Sequence, residues 1–268
     1  MSSVLGKRVV VLSPHLDDAV LSLGAAIAAT TRSGGEVKVV TALANDPASA
    51  APAAPWDSAC GFTSEGDAAR ARRQEDRRAC ALVGAKPIWL PFKDEEYGRG
   101  AADGEIFSAL AAEASGADAV VIPGFPLAHR DHAWLTELIL RSPLACDRIG
   151  LYVEQPYATW RSISRGRRRW AMEGLALRRG LRNSVQVALR RPSGRALQQP
   201  TTSKAVSALV GEPLEWLHLP QSPASWWAKQ RAMRAYRSQL RGFGPLVPER
   251  IALYESGWGG EGLAWAAP

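Results

Sequence analysis

The first half of the chain alternates between short β-branched runs and longer stretches of apolar residues at helical spacing. Residues 8–13 (RVVVLS) form a continuous apolar run before Pro14, as is typical of a buried strand. Residues 18–32 then place small and apolar side chains at helical spacing and stop at a Ser-Gly-Gly turn, which predicts a helix. Residues 37–43 predict the next strand.

The same alternation continues to about residue 153. A loop rich in Ala, Pro, Ser and Gly is expected over residues 44–64. After it we expect helices at 65–83, 106–115 and 131–141, and strands at 87–90, 119–122 and 149–153. This order predicts an α/β fold with a mostly parallel sheet and helices on both faces. Ligands of such sheets bind beyond the carboxyl ends of the strands.

The pattern is weaker in the rest of the chain. We place the core in residues 1–155 and expect residues 156–268 to complete the same domain, with an arginine-rich insertion at about 161–199. A helix is predicted at 226–240. The glycine-rich end, residues 257–268, is expected to cap the domain.

Composition narrows the class of protein. The 268 residues are 46% hydrophobic and 22% charged, as in ordinary soluble globular proteins. The sequence shows no leader pattern and no apolar run long enough to span a bilayer, which predicts a soluble cytoplasmic protein. The cysteines Cys60, Cys80 and Cys146 form no CxxC pair, and such scattered cysteines suit a reducing compartment.

Three ionisable side chains follow the first predicted strand: His15, Asp17 and Asp18. They are costly to bury unless a metal or a substrate uses them. His15 and Asp18 are three residues apart and share one side of a helix start, whereas Asp17 points differently and is free to handle a proton. The alternative is that one aspartate simply caps the following helix.

A second polar sequence, His129-Arg130-Asp131-His132, follows the strand predicted at 119–122 and holds two of the four histidines. Imidazole and carboxylate ligands with one position open for water are typical of catalytic zinc. Spacing alone does not decide which histidine of the pair binds the metal. The remaining histidine, His218, lies in an apolar stretch and is interpreted as a packed or surface residue.

The sequences PHLDD (residues 14–18) and HRDH (residues 129–132) resemble the two signatures of the PIG-L/LmbE-like deacetylases. These are zinc enzymes on a Rossmann-like sheet, and they include N-acetylglucosaminylinositol, mycothiol-pathway, aminoglycoside and glycopeptide deacetylases. The resemblance covers about residues 8–155, including RRQE at 72–75. It implies a Rossmann-like catalytic core and a zinc-dependent hydrolase that removes the N-acetyl group from an amino sugar or glycoside, as in natural-product biosynthesis.

The resemblance also implies roles for individual residues. His15, Asp18 and His132 would be the zinc ligands, and Asp17 the general base. His129 would stabilise the oxyanion or protonate the leaving amine.

Other positions carry a weaker implication. Asp131 would orient a histidine. Arg72 and Asp94 match positions that contact the sugar in some relatives, although a solvated helix face and an exposed acid are the alternatives. The chain departs from the family pattern at Ala19, where many members have Glu, and at Leu127, where some have a catalytic Tyr.

The net charge of +7 comes from one segment. Residues 161–195 hold eleven arginines and one acid, which gives +10 and leaves −3 for the rest of the chain. We expect a solvated insertion. Recognition of an anionic nucleotide sugar or phosphoglycoside is the alternative, and nucleic-acid binding would leave the metal-type residues unexplained. A non-sugar amide substrate and a homo-oligomer also stay open.

Overall fold

A computed structural model describes residues 4–165, 200–211, 214–244 and 246–266. Seven strands form one sheet in the order β3-β2-β1-β4-β5-β7-β6. Their bounds are β1 Arg8–Ser13, β2 Glu36–Thr41, β3 Lys86–Trp89, β4 Ala119–Phe125, β5 Ile149–Val153, β6 Trp216–Leu219 and β7 Glu261–Trp265. Strands β1 to β5 pair in parallel, and β7 pairs antiparallel with β5 on one side and with β6 on the other. The predicted α/β fold with a mostly parallel sheet is confirmed.

The helices of the described residues cover both faces of this sheet. Their bounds are α1 Asp18–Arg32, α2 Pro55–Ala59, α3 Glu65–Val83, α4 Asp103–Ala114, α5 Arg130–Leu140, α6 Tyr157–Arg165, α7 Lys204–Val210, α8 Pro223–Met233, α9 Arg237–Phe243 and α10 Val247–Trp258. Val9 and Val11 of β1 belong to one hydrophobic cluster, whereas Val10 and Leu12 belong to another. This alternation explains the continuous apolar run, because both faces of β1 are buried.

The structure differs from the sequence-based expectations mainly in the last third of the chain. The helix expected at 226–240 is two helices, α8 and α9, separated at residues 234–236. The glycine-rich end contains a strand, β7, in which a Cβ on Gly262 would lie 2.4 Å from Val153 Cγ2. Glycine there permits close packing in the sheet, whereas the sequence pattern indicated only a cap.

The C-terminal part of the chain also supports the helix that begins at the candidate site. Helix α1 is broken at Leu23, and the carboxylate of Glu261 accepts hydrogen bonds from the freed N–H groups of Ala25 and Ala26. The buried ammonium of Lys229 bonds Glu261 and the carbonyl of Ser22. A fully buried ion pair thus fixes the break.

Several expectations concern features away from the site. Cys60 and Cys80 are buried and Cys146 is partly buried, and all three are free thiols. Among the described residues, no helix is long and apolar enough to cross a membrane. The arginine-rich segment lies almost entirely outside the described residues, and the domain division at residue 155 stays a prediction.

Candidate active site

The turn after β1 frees its carboxylates from helix capping. The hydroxyl of Ser13 accepts a hydrogen bond from Ala19 N at 3.1 Å and so takes the capping role. Asp17 stands at the N-cap position without a capping bond, and its buried Oδ2 has no hydrogen-bond partner among the described residues. Asp18 Oδ2 accepts from His15 N at 2.9 Å. The alternative that these aspartates serve as simple caps therefore does not describe the structure.

Three side-chain atoms meet where β1 and β4 end. His15 Nδ1 and His132 Nε2 each lie 3.2 Å from Asp18 Oδ2, and the two nitrogens are 3.3 Å apart. Ligands bound tetrahedrally at about 2.0–2.1 Å lie about 3.3 Å from one another. This donor set therefore fits a metal ion of the size and preference of zinc.

The outer nitrogens of both histidines face carboxylates. His15 Nε2 lies 3.2 Å from Asp131 Oδ2, and His132 Nδ1 bonds Glu154 Oε2. With a proton on each outer nitrogen, the lone pairs of the inner nitrogens point toward Asp18. Carboxylate partners of this kind fix the tautomer and the ring orientation of metal-binding histidines.

The electrostatic field at this point favours positive charge. Burial alone lowers the pKa of both imidazoles, but the carboxylates outweigh it and raise the pKa of His15 to about 9 and that of His132 to about 10. Burial tends to raise the pKa of Asp18, yet the two histidines hold it well below its usual range. Protons on the imidazoles, or a metal ion in their place, satisfy the same charge demand.

His129 stands beside the three atoms with a different bonding pattern. The centroid of its ring is 5.0 Å from that of His15 and 5.2 Å from that of His132. One nitrogen from each of the three histidines lies within 4.8 Å of the other two. His129 Nδ1 accepts a hydrogen bond from Asp131 N, so the neutral ring carries its proton on Nε2. Burial and the two neighbouring histidines lower the pKa of His129. A neutral imidazole with one N–H available can donate to an oxyanion.

Asp17, Arg72 and Asp57 make up what we call the carboxylate side of the site. Burial and the neighbouring charge of Asp18 raise the pKa of Asp17 above its ordinary value. Its Oδ1 is 3.9 Å from an Arg72 guanidinium nitrogen, and Arg72 also bonds Asp57 at 3.3 Å. Arg72 is 5% exposed, so the alternative of a solvated helix face does not hold.

Asp94 is also buried and holds the loop at the rim of the site. It accepts from Asn45 Nδ2 at 3.2 Å and from Tyr97 N at 3.2 Å. The hydroxyl of Tyr97 donates to Asp57 Oδ2 at 2.8 Å. Asp94 is therefore not an exposed acid. Its carboxylate accepts hydrogen bonds from other protein groups, and a contact between Asp94 and a sugar stays a prediction.

Sequence reasoning missed two residues of the site. Glu154 directly follows the buried strand β5, so the rule that pointed to His15 and His129 also applies to it. Tyr157 begins α6 with its ring 5.2 Å from that of His132, and its hydroxyl has no hydrogen-bond partner in the described part of the chain. Leu127 adopts a φ of 52°, which is strained for a branched residue, and its N–H bonds Glu154.

The comparison with family models gives one match. Residues 10–142 match the family described as "PIG-L: GlcNAc-PI de-N-acetylase". No curated protein matches the chain significantly. The chain therefore carries a PIG-L family domain over residues 10–142, which includes both histidine-containing sequences.

Solved structures share the fold along nearly the whole chain. The A40926 pseudoaglycone deacetylase Dbv21 is 22% identical with a TM-score of 0.62, over 97% of this chain and 96% of that one. The zinc-inhibited form of teicoplanin deacetylase Orf2 is 20% identical with a TM-score of 0.61, over 96% and 97%. GalB, the 4-carboxy-2-hydroxymuconate hydratase of Pseudomonas putida, is 16% identical with a TM-score of 0.53, over 98% and 97%.

Proposed function

We propose that this chain, with its PIG-L family domain, is a metal-dependent hydrolase that removes the acetyl group from an N-acetylated amino sugar or glycoside. One observation carries the proposal: His15 Nδ1, Asp18 Oδ2 and His132 Nε2 lie at tetrahedral spacing next to Asp17, whose buried Oδ2 has no hydrogen-bond partner in the part of the chain that the structure describes. A metal site beside an unused carboxylate suits the hydrolysis of an unactivated amide.

In this proposal His15, Asp18 and His132 hold the metal, and zinc is the metal we propose. The bound ion would supply Lewis acidity toward water and toward the amide carbonyl. The structure named above as a zinc-inhibited deacetylase shows that zinc can inhibit a protein of this fold. Metal loading therefore has to be tested with zinc, cobalt and nickel at one equivalent and in excess.

The protein groups around the site handle the protons. Asp17 Oδ2 takes a proton from the attacking water, and the raised pKa of Asp17 suits a base that must later release it. His129 donates its Nε2–H to the carbonyl oxygen as negative charge develops there. Asp17 then returns the proton to the departing amine, so acetate and a free amine are the products.

Arg72 and Asp131 orient Asp17 and His15, respectively. The guanidinium of Arg72 keeps the buried Asp17 facing the site, and Asp131 keeps His15 in its binding tautomer. A contact between Arg72 and the sugar remains part of the proposal, supported by the buried Nε of Arg72, which has no hydrogen-bond partner within the described ranges.

The substrate class is proposed from the family and from the named relatives. The family description concerns N-acetylglucosamine, Dbv21 is the deacetylase of the antimicrobial A40926 pseudoaglycone, and Orf2 belongs to the teicoplanin biosynthetic pathway. A small N-acetylated sugar is therefore our first substrate, and a cytoplasmic location stays a prediction. GalB shows that the same fold also occurs in a hydratase, so the fold alone does not select the reaction.

The test combines metal analysis with a product assay. Protein loaded with one equivalent of metal is incubated with N-acetylglucosamine glycosides, N-acetylated aminoglycosides, nucleotide sugars and non-sugar acetamides, and acetate and amine are measured by mass spectrometry. We expect release from the sugars, and loss of both metal and activity in His15→Ala and His132→Ala. Full metal retention by both variants, or release only from non-sugar amides, contradicts the proposal.

A further inference from the structure

Asp131 joins the candidate metal site to the loop at its rim. Its side chain is 1% exposed, and Oδ2 lies 3.2 Å from His15 Nε2 and 3.4 Å from the backbone N of Glu95. The other oxygen, Oδ1, bonds a guanidinium nitrogen of Arg99. The two oxygens of Asp131 therefore have different partners, and only Oδ2 contacts His15.

Arg99 is fixed on a second side by an aromatic ring. Its guanidinium carbon lies 3.7 Å from the ring centroid of Trp134, which follows Asp131 by about one turn of α5. Trp134 Nε1 in turn donates to Asp103 Oδ1 at 2.9 Å. A cation held over a ring and against a carboxylate has little freedom to reorient.

The loop around Arg99 has a backbone that depends on glycine. Gly98 and Gly100 flank the arginine with φ values of 72° and 67°. These left-handed conformations are easy only for glycine. They direct the chain so that Arg99 reaches α5 while Tyr97, two residues earlier, bonds Asp57 on the carboxylate side.

A second orientation of Asp131 lies close at hand. His129 Nδ1 is 3.9 Å from Asp131 Oδ2, so a small rotation of the carboxylate would exchange His15 for a His129 ring that carries a proton on Nδ1. With Oδ1 bound to Arg99, that rotation would break an ion pair. Without Arg99, nothing among the described contacts of Oδ1 opposes it.

We propose that Arg99 is a positioning residue of the metal site. It locks Asp131 in the orientation that accepts the Nε2–H of His15, and Nδ1 of His15 then faces Asp18 and His132. The inference rests on the proposed function, because it takes His15 as a ligand. If so, the conformation of the loop that carries Arg99 affects the affinity of the site for metal.

The experiment compares Arg99→Met with Arg130→Met. Arg130 is a suitable control because it lies on α5 beside Asp131, yet its bond to Glu95 is exposed, with side chains 84% and 44% accessible. Affinity for Co²⁺ and Zn²⁺ is measured by chelator competition, together with the absorption spectrum of the cobalt form and thermal unfolding of the metal-free proteins.

We expect Arg99→Met to bind both metals about 10–100-fold more weakly, the usual cost of losing an outer partner of a ligand, because Asp131 is then no longer held against His15; the cobalt spectrum should change as well. Arg99→Lys should recover part of the affinity, because it keeps the charge but loses the planar stack. Arg130→Met should stay within about twofold of the wild type, since exposed ion pairs contribute little.

Affinity within twofold and an unchanged spectrum in Arg99→Met would overturn the inference, even if that variant were less stable. Should Arg99→Met not fold, Arg99→Lys decides: weaker binding supports the role, and wild-type binding overturns it. If the wild-type protein itself binds no metal, the proposed function fails. If the wild type binds and Arg99→Met binds equally well, only the role of Arg99 fails.

Discussion

The two sides of the candidate site differ in how completely their polar atoms are paired. On the histidine side, both nitrogens of His15 and of His132 have carboxylate partners, and Glu154 and Asp131 are in turn bonded to further groups. On the carboxylate side, Asp17 Oδ2 is buried and bonds no other described residue. Complete pairing fixes groups for binding, whereas an unpaired buried carboxylate is costly unless the reaction uses it.

The sharpest test of this difference is Asp17→Asn. The amide has nearly the same shape but cannot take a proton from water, so turnover should fall about 10²–10⁴-fold while the metal content stays unchanged. Acetate release and metal analysis on the same preparation measure both quantities. If Asp17→Asn lost its metal and Asp18→Asn kept it, the two sides would be assigned the wrong way round.

His129→Ala probes the one histidine of the candidate site that our ligand set does not include. Loss of an oxyanion donor costs about 10²–10³-fold in kcat, and we expect a fall of this size with the metal retained. His218→Ala is the matched control, because His218 is exposed and packs against Trp258 away from the site. A rate unchanged in His129→Ala but reduced in Tyr157→Phe would transfer the donor role to the Tyr157 hydroxyl.

Glu154→Gln tests the histidine side of the site. Glu154 accepts from His132 Nδ1 with one oxygen and from Leu127 N with the other, and glutamine offers only one oxygen for two donors. Metal affinity should fall about 10–100-fold, as for other outer partners of ligands. Chelator competition measures it, and wild-type affinity in this variant would show that the orientation of His132 is set by packing alone.

Asp76→Asn tests a buried acid outside the site, with no expected effect on turnover. Both oxygens of Asp76 are paired, with Trp89 Nε1 and the Tyr236 hydroxyl at 2.7 Å, and burial raises its pKa to about 6. Because the native state binds this proton more tightly than the unfolded state, stability is lost as pH rises from about 4 to about 6, by up to about 3 kcal/mol.

The variant lacks that titration, so its free energy of unfolding relative to the wild type should rise over the same pH range. The lost hydrogen bond adds an offset that does not depend on pH. Denaturant unfolding at several pH values between 4 and 7 measures the slope, and parallel curves for the two proteins would contradict the raised pKa of Asp76.

The sequence by itself determined the order of β1 to β5, the helices between most of them, and the edge of the sheet where the chemistry lies. Apolar runs and helical spacing are local, and parallel strands end at one edge, so His15 could be expected to meet the pair His129 and His132. The family resemblance added the proposed roles of Asp17 and Asp18 and the choice of His132 as a proposed ligand.

Only the tertiary structure decided which atoms are paired. Glu154, Arg99 and Tyr157 act through contacts with residues 22 to 32 positions away, and no local pattern specifies such distances. The same holds for β6 and β7, where Gly262 is required by the side chain of Val153 on the neighbouring strand. Long-range packing thus determined the orientation of the site residues, because orientation depends on neighbours that are distant in the sequence.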